Sequence, residues 1–401
     1  MPHDGREDLP ITTALFRQPK VALIHYWLVG MRGGEKVLEA LCRMYPNADI
    51  FTHVYDPRGI SETIKRHKII ETSVGRLPFA KTMYQKYLPF MPRALEEVDL
   101  TGYDLVISSE AGPAKGVIVP PDAFHLCYTH SPMRYLWDQY HVYLESAGTL
   151  TQFALPHFAH RLRAWDVSSA ARVDAFAANS NHVASRIKKY WRRDAAVVHP
   201  PADLKAFSPI DQNDVGDFYL WAGELAPYKR PDIMIEAFNQ LGLPLVVLGG
   251  PEKTRQKLQQ TAKDNITFLG RVDFDVLKDH MARCRALIFP GEEDFGIVPV
   301  EVMASGRPVI AYDRGGARDT VIDGITGLLF RDQTADALVS AVKEFEVRHL
   351  YNVDTPAVVR HAQQFSEANF RIGIDALLPA GLRSGVANAP KIVQETQWAS
   401  Q

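Results

Sequence analysis

Two carboxylates, Glu293 and Glu301, flank an Asp-Phe-Gly turn in the stretch "FPGEEDFGIVPVE". The preceding "CRALIF" reads as a short buried strand, and the following "VPVEVMASG" reads as a helix with Pro in its first turn. Glu293 is thus expected in a loop and Glu301 inside a helix. In an open parallel sheet such strand-to-helix loops bind ligands, because helix N-termini carry unpaired N–H groups and partial positive charge. Two acids so placed reach different parts of one elongated ligand, unlike a pair that flanks a single bond.

Lys229 and Arg230, in "GELAPYKRPDIMIEAF", precede another helix and carry charges suited to a diphosphate. A solvated helix start is the duller reading of the same pair. Gly33 and Gly34, followed by Glu35 and Lys36, open a helix after the first strand, and Gly315 and Gly316 do so later. Both pairs fit either a backbone approach to phosphate or a plain tight turn. Neither the dinucleotide fingerprint nor the Walker loop occurs. His130 in "YTHSP" falls at a strand end, where it faces a cleft, while His25 inside "LIHYW" is better placed in the core. His157 and His160 share a helical face without a third metal ligand, and Asp273 and Asp275 suit helix capping better than metal binding.

The elements that must position these residues alternate. "KVALIHYWLVG" and "MRGGEKVLEALCRMYP" begin a series of strand and helix units that breaks at "HPPADLKAFSP" and restarts at "FYLWAGE". Alternation of this kind makes a parallel sheet with helices on both faces. We therefore expect an α/β protein of two doubly wound domains, residues 1–203 and 204–365. A helix at 366–378 and a loosely ordered tail at 379–401 follow. Two such domains turn their strand C-termini towards a shared cleft.

With 401 residues, 46% of them hydrophobic, the chain can build two cores. A net charge of -2 gives no basic field for nucleic acid. Cys42, Cys127 and Cys284 lack metal or redox spacing, which favours a reducing compartment, and neither a leader nor a spanning stretch is expected. The segment 65–93 concentrates Lys65, Arg66, Lys68, Arg76, Lys81, Lys86 and Arg93 among Tyr, Phe and Leu, with Glu71 as its one acid. That mixture suits an anionic membrane surface or a lipid diphosphate, although a protein interface fits nearly as well.

"EDFGIVPVE", "HYWLVGMRGGEKVLEAL", "CYTHSPMRYLWDQY", "PYKRPDIMIEAFN" and "MASGRPVIAYDRGGARDTVIDGITGLLF" together resemble the retaining, nucleotide-sugar-dependent glycosyltransferases of family 4, which have the GT-B fold of two Rossmann-like domains. They look most similar to bacterial GDP-mannose-dependent mannosyltransferases of O-antigen and exopolysaccharide assembly. The resemblance implies an acceptor-binding first domain, a nucleotide-sugar-binding second domain and a last helix that crosses back. It makes His130 and Glu293 catalytic, with Glu293 on donor-sugar hydroxyls. Asp294, Phe295, Gly296 and Ile297 would complete that turn, and Glu301 would hold the ribose. Lys229 and Arg230 would face the diphosphate, Gly33 and Gly34 would lie against phosphate and acceptor, and the base would lodge near Gly270 and Arg271. The implied reaction uses neither metal nor cofactor and moves mannose to a polyprenyl-diphosphate-linked oligosaccharide at the cytoplasmic face of the plasma membrane.

One residue departs from the pattern: Glu224 stands where relatives usually carry Arg. Arg230 or Arg318 is expected to compensate; otherwise Glu224 points away or donor affinity falls. A UDP-sugar transferase of the same fold, a silent nucleotide-sugar-binding scaffold and, more weakly, a hydrolase are the competing readings.

Overall fold

The computed structural model describes residues 18–146 and 148–384. Expectations for the leader region and for the tail beyond 384 lie outside the described residues. Among the described residues, thirteen parallel strands form two sheets. The first contains β1 (Val21–His25), β2 (Asp49–Thr52), β3 (Ile69–Glu71), β4 (Leu105–Glu110), β5 (Phe124–Thr129), β6 (Ala175–Ala178) and β7 (Ala196–Val197). Its order is β3-β2-β1-β4-β5-β6-β7. The second contains β8 (Tyr219–Ala222), β9 (Leu245–Leu248), β10 (Ile266–Gly270), β11 (Leu287–Phe289), β12 (Val309–Tyr312) and β13 (Gly327–Phe330), in the order β10-β9-β8-β11-β12-β13.

Burial explains the apolar runs. All five residues of β1 are buried, as a strand covered by helices on both faces requires. The helix Gly33–Met44 lays Val37, Leu38, Leu41 and Met44 on the sheet, the three-and-four spacing of an amphipathic helix. Order reverses between β1 and β4 in one sheet and between β8 and β11 in the other, and at such switch points the loops leave a crevice.

The helix Glu367–Ala376 belongs to the first core although it follows the second domain. Phe370 and Ile374 are buried there, the Phe370 ring lies 5.5 Å from Tyr128, and Arg43 pairs with Glu367 at 2.7 Å. Where the chain crosses between the halves, the Ala202 N–H donates to the Phe365 carbonyl at 2.9 Å. Among the described residues no helix is long and apolar enough to cross a membrane.

Candidate functional site

The loops after β8 and β11 meet at the second switch point. Pro227–Lys229 forms a single turn after β8, and Lys229 Nζ lies 2.7 Å from Glu293 Oε1 in the loop after β11. Both side chains are mostly buried. Gly291 must be small, since a Cβ there would lie 2.6 Å from Lys229 Cα. Gly316 packs against Phe295 in the same way, and its N–H donates to the Glu293 carbonyl at 2.9 Å. That amide is therefore engaged within the protein, which for Gly316 favours the tight-turn alternative over an approach to phosphate.

Beside the pair runs a cavity of about 330 Å³ lined by Gly223, Glu224, Gly249, Gly270, Arg271 and Glu301, among others. Glycine keeps it open, for Gly249 has φ +95° and donates its N–H to the Gly270 carbonyl at 2.6 Å. Glu301 lies in the helix Ile297–Ala304, which begins at Gly296. Burial, reinforced by Asp203 and partly opposed by Lys36, pushes the Glu301 carboxyl up to about 7. A larger depression, about 600 Å³, borders Asp104, Phe124, Asp174 and Leu382. It sits at the N-terminal ends of β4 and β5, the wrong end of a parallel sheet for the ligand site.

The first domain contributes side chains from the opposite wall. His130, directly after β5, is half-buried and its Nε2 lies 2.8 Å from Ser109 Oγ on β4. Ser109 also meets His25 Nδ1 of β1 at 3.1 Å, and His25 Nε2 lies 3.8 Å from Glu35 Oε1. Burial, with His25 adding to it, pushes the His130 imidazole down to about 3, so the ring is neutral near pH 7. Burial works to raise the Glu35 carboxyl, but the nearby His25 and backbone N–H groups outweigh it and the carboxyl lies below its ordinary value.

Asp294 binds the two walls together. Its Oδ1 lies 2.8 Å from both Arg134 Nη2 and Arg186 Nη1, cations of the first domain, and its carbonyl accepts from Ser180. Arg134 also lies over the Tyr228 ring at 5.7 Å. Further along, the Asn181 N–H donates to Asp319 at 2.6 Å, and the His199 ring lies 5.5 Å from Phe295.

With this geometry in place, comparison with known proteins is informative. Residues 31–206 match the model of Glycosyltransferase Family 4, and residues 205–349 match that of Glycosyl transferases group 1. Each half of the chain is thus similar to a glycosyltransferase domain. A D-inositol 3-phosphate glycosyltransferase of Streptomyces avermitilis is 28% identical over 240 residues, 50% of each chain. The chain spans about half the length of the curated relatives it matches. Among solved structures, Anabaena Alr3699/HepE in complex with UDP and glucose superposes with a TM-score of 0.65 at 18% identity, covering 89% of this chain and 98% of that one. The lipopolysaccharide outer core galactosyltransferase WaaB follows at 0.63 and 18%, covering 90% and 100%. These likenesses show the GT-B fold.

Gly270, Arg271 and Glu301 line that cavity, Lys229 and Glu293 pair in the loops after β8 and β11, and His130 stands at the end of β5 in the other half. Gly33 and Gly34 start the helix Gly33–Met44; a Cβ on Gly34 would meet Tyr26 Oη at 2.2 Å, whereas one on Gly33 would meet nothing within 4 Å. Arg230 turns away, bonded to Asp232 at 2.7 Å and to Gln333. The partner of Glu224 is neither Arg230 nor Arg318, which pairs with Asp313, but Arg271 at 3.2 Å. Asp273 occupies a helix N-cap position without making the side-chain bond, and Asp275 pairs with Lys278. Arg134, Arg186 and Ser109 escaped the sequence reading. Their partners lie in distant segments, and no local spacing marks them.

Proposed function

We propose that this chain transfers a glycosyl group, with retention, from a nucleotide sugar held in the crevice beside Lys229, Glu293 and Glu301. The observation that carries the reading is the joining of the Lys229–Glu293 pair to a glycine-lined cavity at a switch point. Glu301, once ionised, accepts hydrogen bonds from a ribose, and Lys229 faces the diphosphate. Glu293 then turns from Lys229 to sugar hydroxyls. The sugar C1–O bond to the diphosphate breaks as the acceptor oxygen bonds C1 on the same face. The acceptor's proton passes to the departing phosphate oxygen, while Lys229 stabilises the growing charge.

GDP-mannose is our donor of choice, from the resemblance of the motifs to mannosyltransferases, with a lipid-linked oligosaccharide as acceptor. A UDP-sugar donor is the second reading, favoured by the UDP held in Alr3699/HepE. Calorimetric titration with GDP, UDP, ADP, GDP-mannose and UDP-glucose in EDTA separates them. GDP binding lost in Glu301→Ala supports the first reading, UDP preference replaces mannose, and no binding removes the transferase reading.

Membrane association is supported by Phe79 and Phe90, 77% and 60% exposed, in the basic segment that also carries Lys81 and Lys86. Unchanged binding to anionic vesicles after the lysines and arginines of 65–93 are neutralised would remove that support.

A further inference from the structure

Four polar residues form a line from the start of the helix Gly33–Met44 to the cleft: Glu35, His25, Ser109 and His130. His25 is 1% exposed, and its Nε2 is sealed from solvent with no hydrogen-bond partner, the nearest charge being the Glu35 carboxylate. Glu35 itself is held by the Arg32 N–H at 2.9 Å. A carboxylate so placed favours the tautomer of His25 that carries its proton on Nε2. With His25 neutral in that tautomer, its Nδ1 accepts and Ser109 donates to it. A hydroxyl has one proton, so its oxygen can only accept from His130, which fixes the His130 proton on Nε2. His130 Nδ1 makes no hydrogen bond among the described residues and, unlike His25 Nε2, is not sealed from solvent.

We propose that Glu35, His25 and Ser109 act as positioning residues that lock the tautomer of His130, so that Nδ1 of His130 presents a bare lone pair to the cleft and accepts a hydrogen bond from a donor-sugar hydroxyl. The sugar part rests on the transferase reading; the tautomer part does not. The reverse arrangement would aim a lone pair of His25 at Glu35 and present an N–H to the sugar.

The test is nitrogen-15 NMR of histidine-labelled protein without substrate, with His130 assigned from His130→Asn. The expected result is a protonated Nε2 and a bare Nδ1 on His130, with a shift towards mixed tautomers in Ser109→Ala. A wild-type His130 protonated on Nδ1 overturns the proposal, whether or not any variant folds. In turnover of the nucleotide sugar, Ser109→Ala and His25→Gln should lower kcat about tenfold while nucleoside diphosphate affinity stays within about twofold, and Ser109→Thr should recover most of the loss. Unchanged kcat in both variants overturns the relay. Failure of wild type to bind UDP or GDP overturns the transferase reading instead, and leaves the tautomer result to decide the relay alone.

Discussion

The two walls of the cleft are built by different means. The second-domain wall works through backbone and glycine: Gly249, Gly291, Gly296 and Gly316 each leave room that a Cβ would fill, and loops pack backbone on backbone. The first-domain wall works through side chains rooted in strands, with His25 on β1, Ser109 on β4 and His130 beyond β5. A crevice for phosphates and a base needs close backbone approach, which glycine permits. On the proposed reading the first-domain wall faces the sugar, where fixed donors and acceptors are needed, and buried side chains supply them.

The sharpest way to break this contrast is to add one methyl group to each wall. In Gly316→Ala the new Cβ would lie 2.3 Å from Phe295 Cα and from its carbonyl oxygen, so the 293–297 loop must move. We expect turnover to fall more than a hundredfold, because displacing that loop moves Glu293 out of place as surely as deleting a placed polar group would, and the melting temperature to drop by several degrees. In Gly33→Ala nothing lies within 4 Å, so stability should stay within about 0.5 kcal/mol. Equal damage from the two substitutions would show that the second wall owes nothing special to glycine.

The same contrast decides what could be read from sequence. The glycine and carboxylate devices are local: Glu293, Gly296 and Glu301 sit in one short stretch between a strand and a helix, and its apolar pattern marks both elements. The doubly wound halves were legible for the same reason, since fully buried strands such as β1 are continuous apolar runs. His25, by contrast, bonds a serine 84 positions away. Arg186 reaches Asp294 across 108 positions. Only the folded chain brings such groups together, so His25 read as a core residue and Arg134 drew no reading at all. Glu224 found Arg271 rather than its sequence neighbour Arg230 because Arg230 is turned aside by Asp232, two residues along.

Asp294 tests how far the walls depend on each other. Replacing it by Ala leaves Arg134 and Arg186, mostly buried, without their shared anion, although Arg186 keeps Asp138. Breaking a fully buried pair costs about 3–5 kcal/mol, and the carboxylate's 20% exposure reduces our expectation to about 2 kcal/mol. An unchanged melting temperature would mean that the halves hold together without this contact.

Glu301 offers a smaller effect with a definite sign. Its carboxyl is raised from an ordinary 4.5 to about 7, so the folded state holds the proton more tightly than the unfolded one. The stability contributed by that proton is complete below about 4.5 and is lost as pH rises through about 7. Glu301→Gln should therefore raise the melting temperature of the free protein at pH 8, with the advantage shrinking at pH 5. Nucleotide affinity should move the other way in wild type, strengthening as pH rises through 7, because a ribose hydroxyl donates best to the ionised carboxylate. A pH-independent affinity would separate Glu301 from the ligand.

The smallest expected effect is at Glu224, where the two walls' logic meets a surface ion pair. Glu224 and Arg271 both border the cavity, but their side chains are 60% and 77% exposed, and exposed pairs contribute about 0–1 kcal/mol. Arg271 already answers the charge of Glu224, so Glu224→Arg removes an opposed pair and creates a like-charged one beside the same cavity. We expect the affinity for GDP or UDP to change by less than about threefold, or about 0.7 kcal/mol, and the difference to shrink in high salt as exposed charges are screened. Tightening beyond tenfold would show instead that Glu224 faces the diphosphate directly and that Arg271 does not offset it. The charge at this position would then set donor affinity, and the second wall would depend on side chains as much as the first.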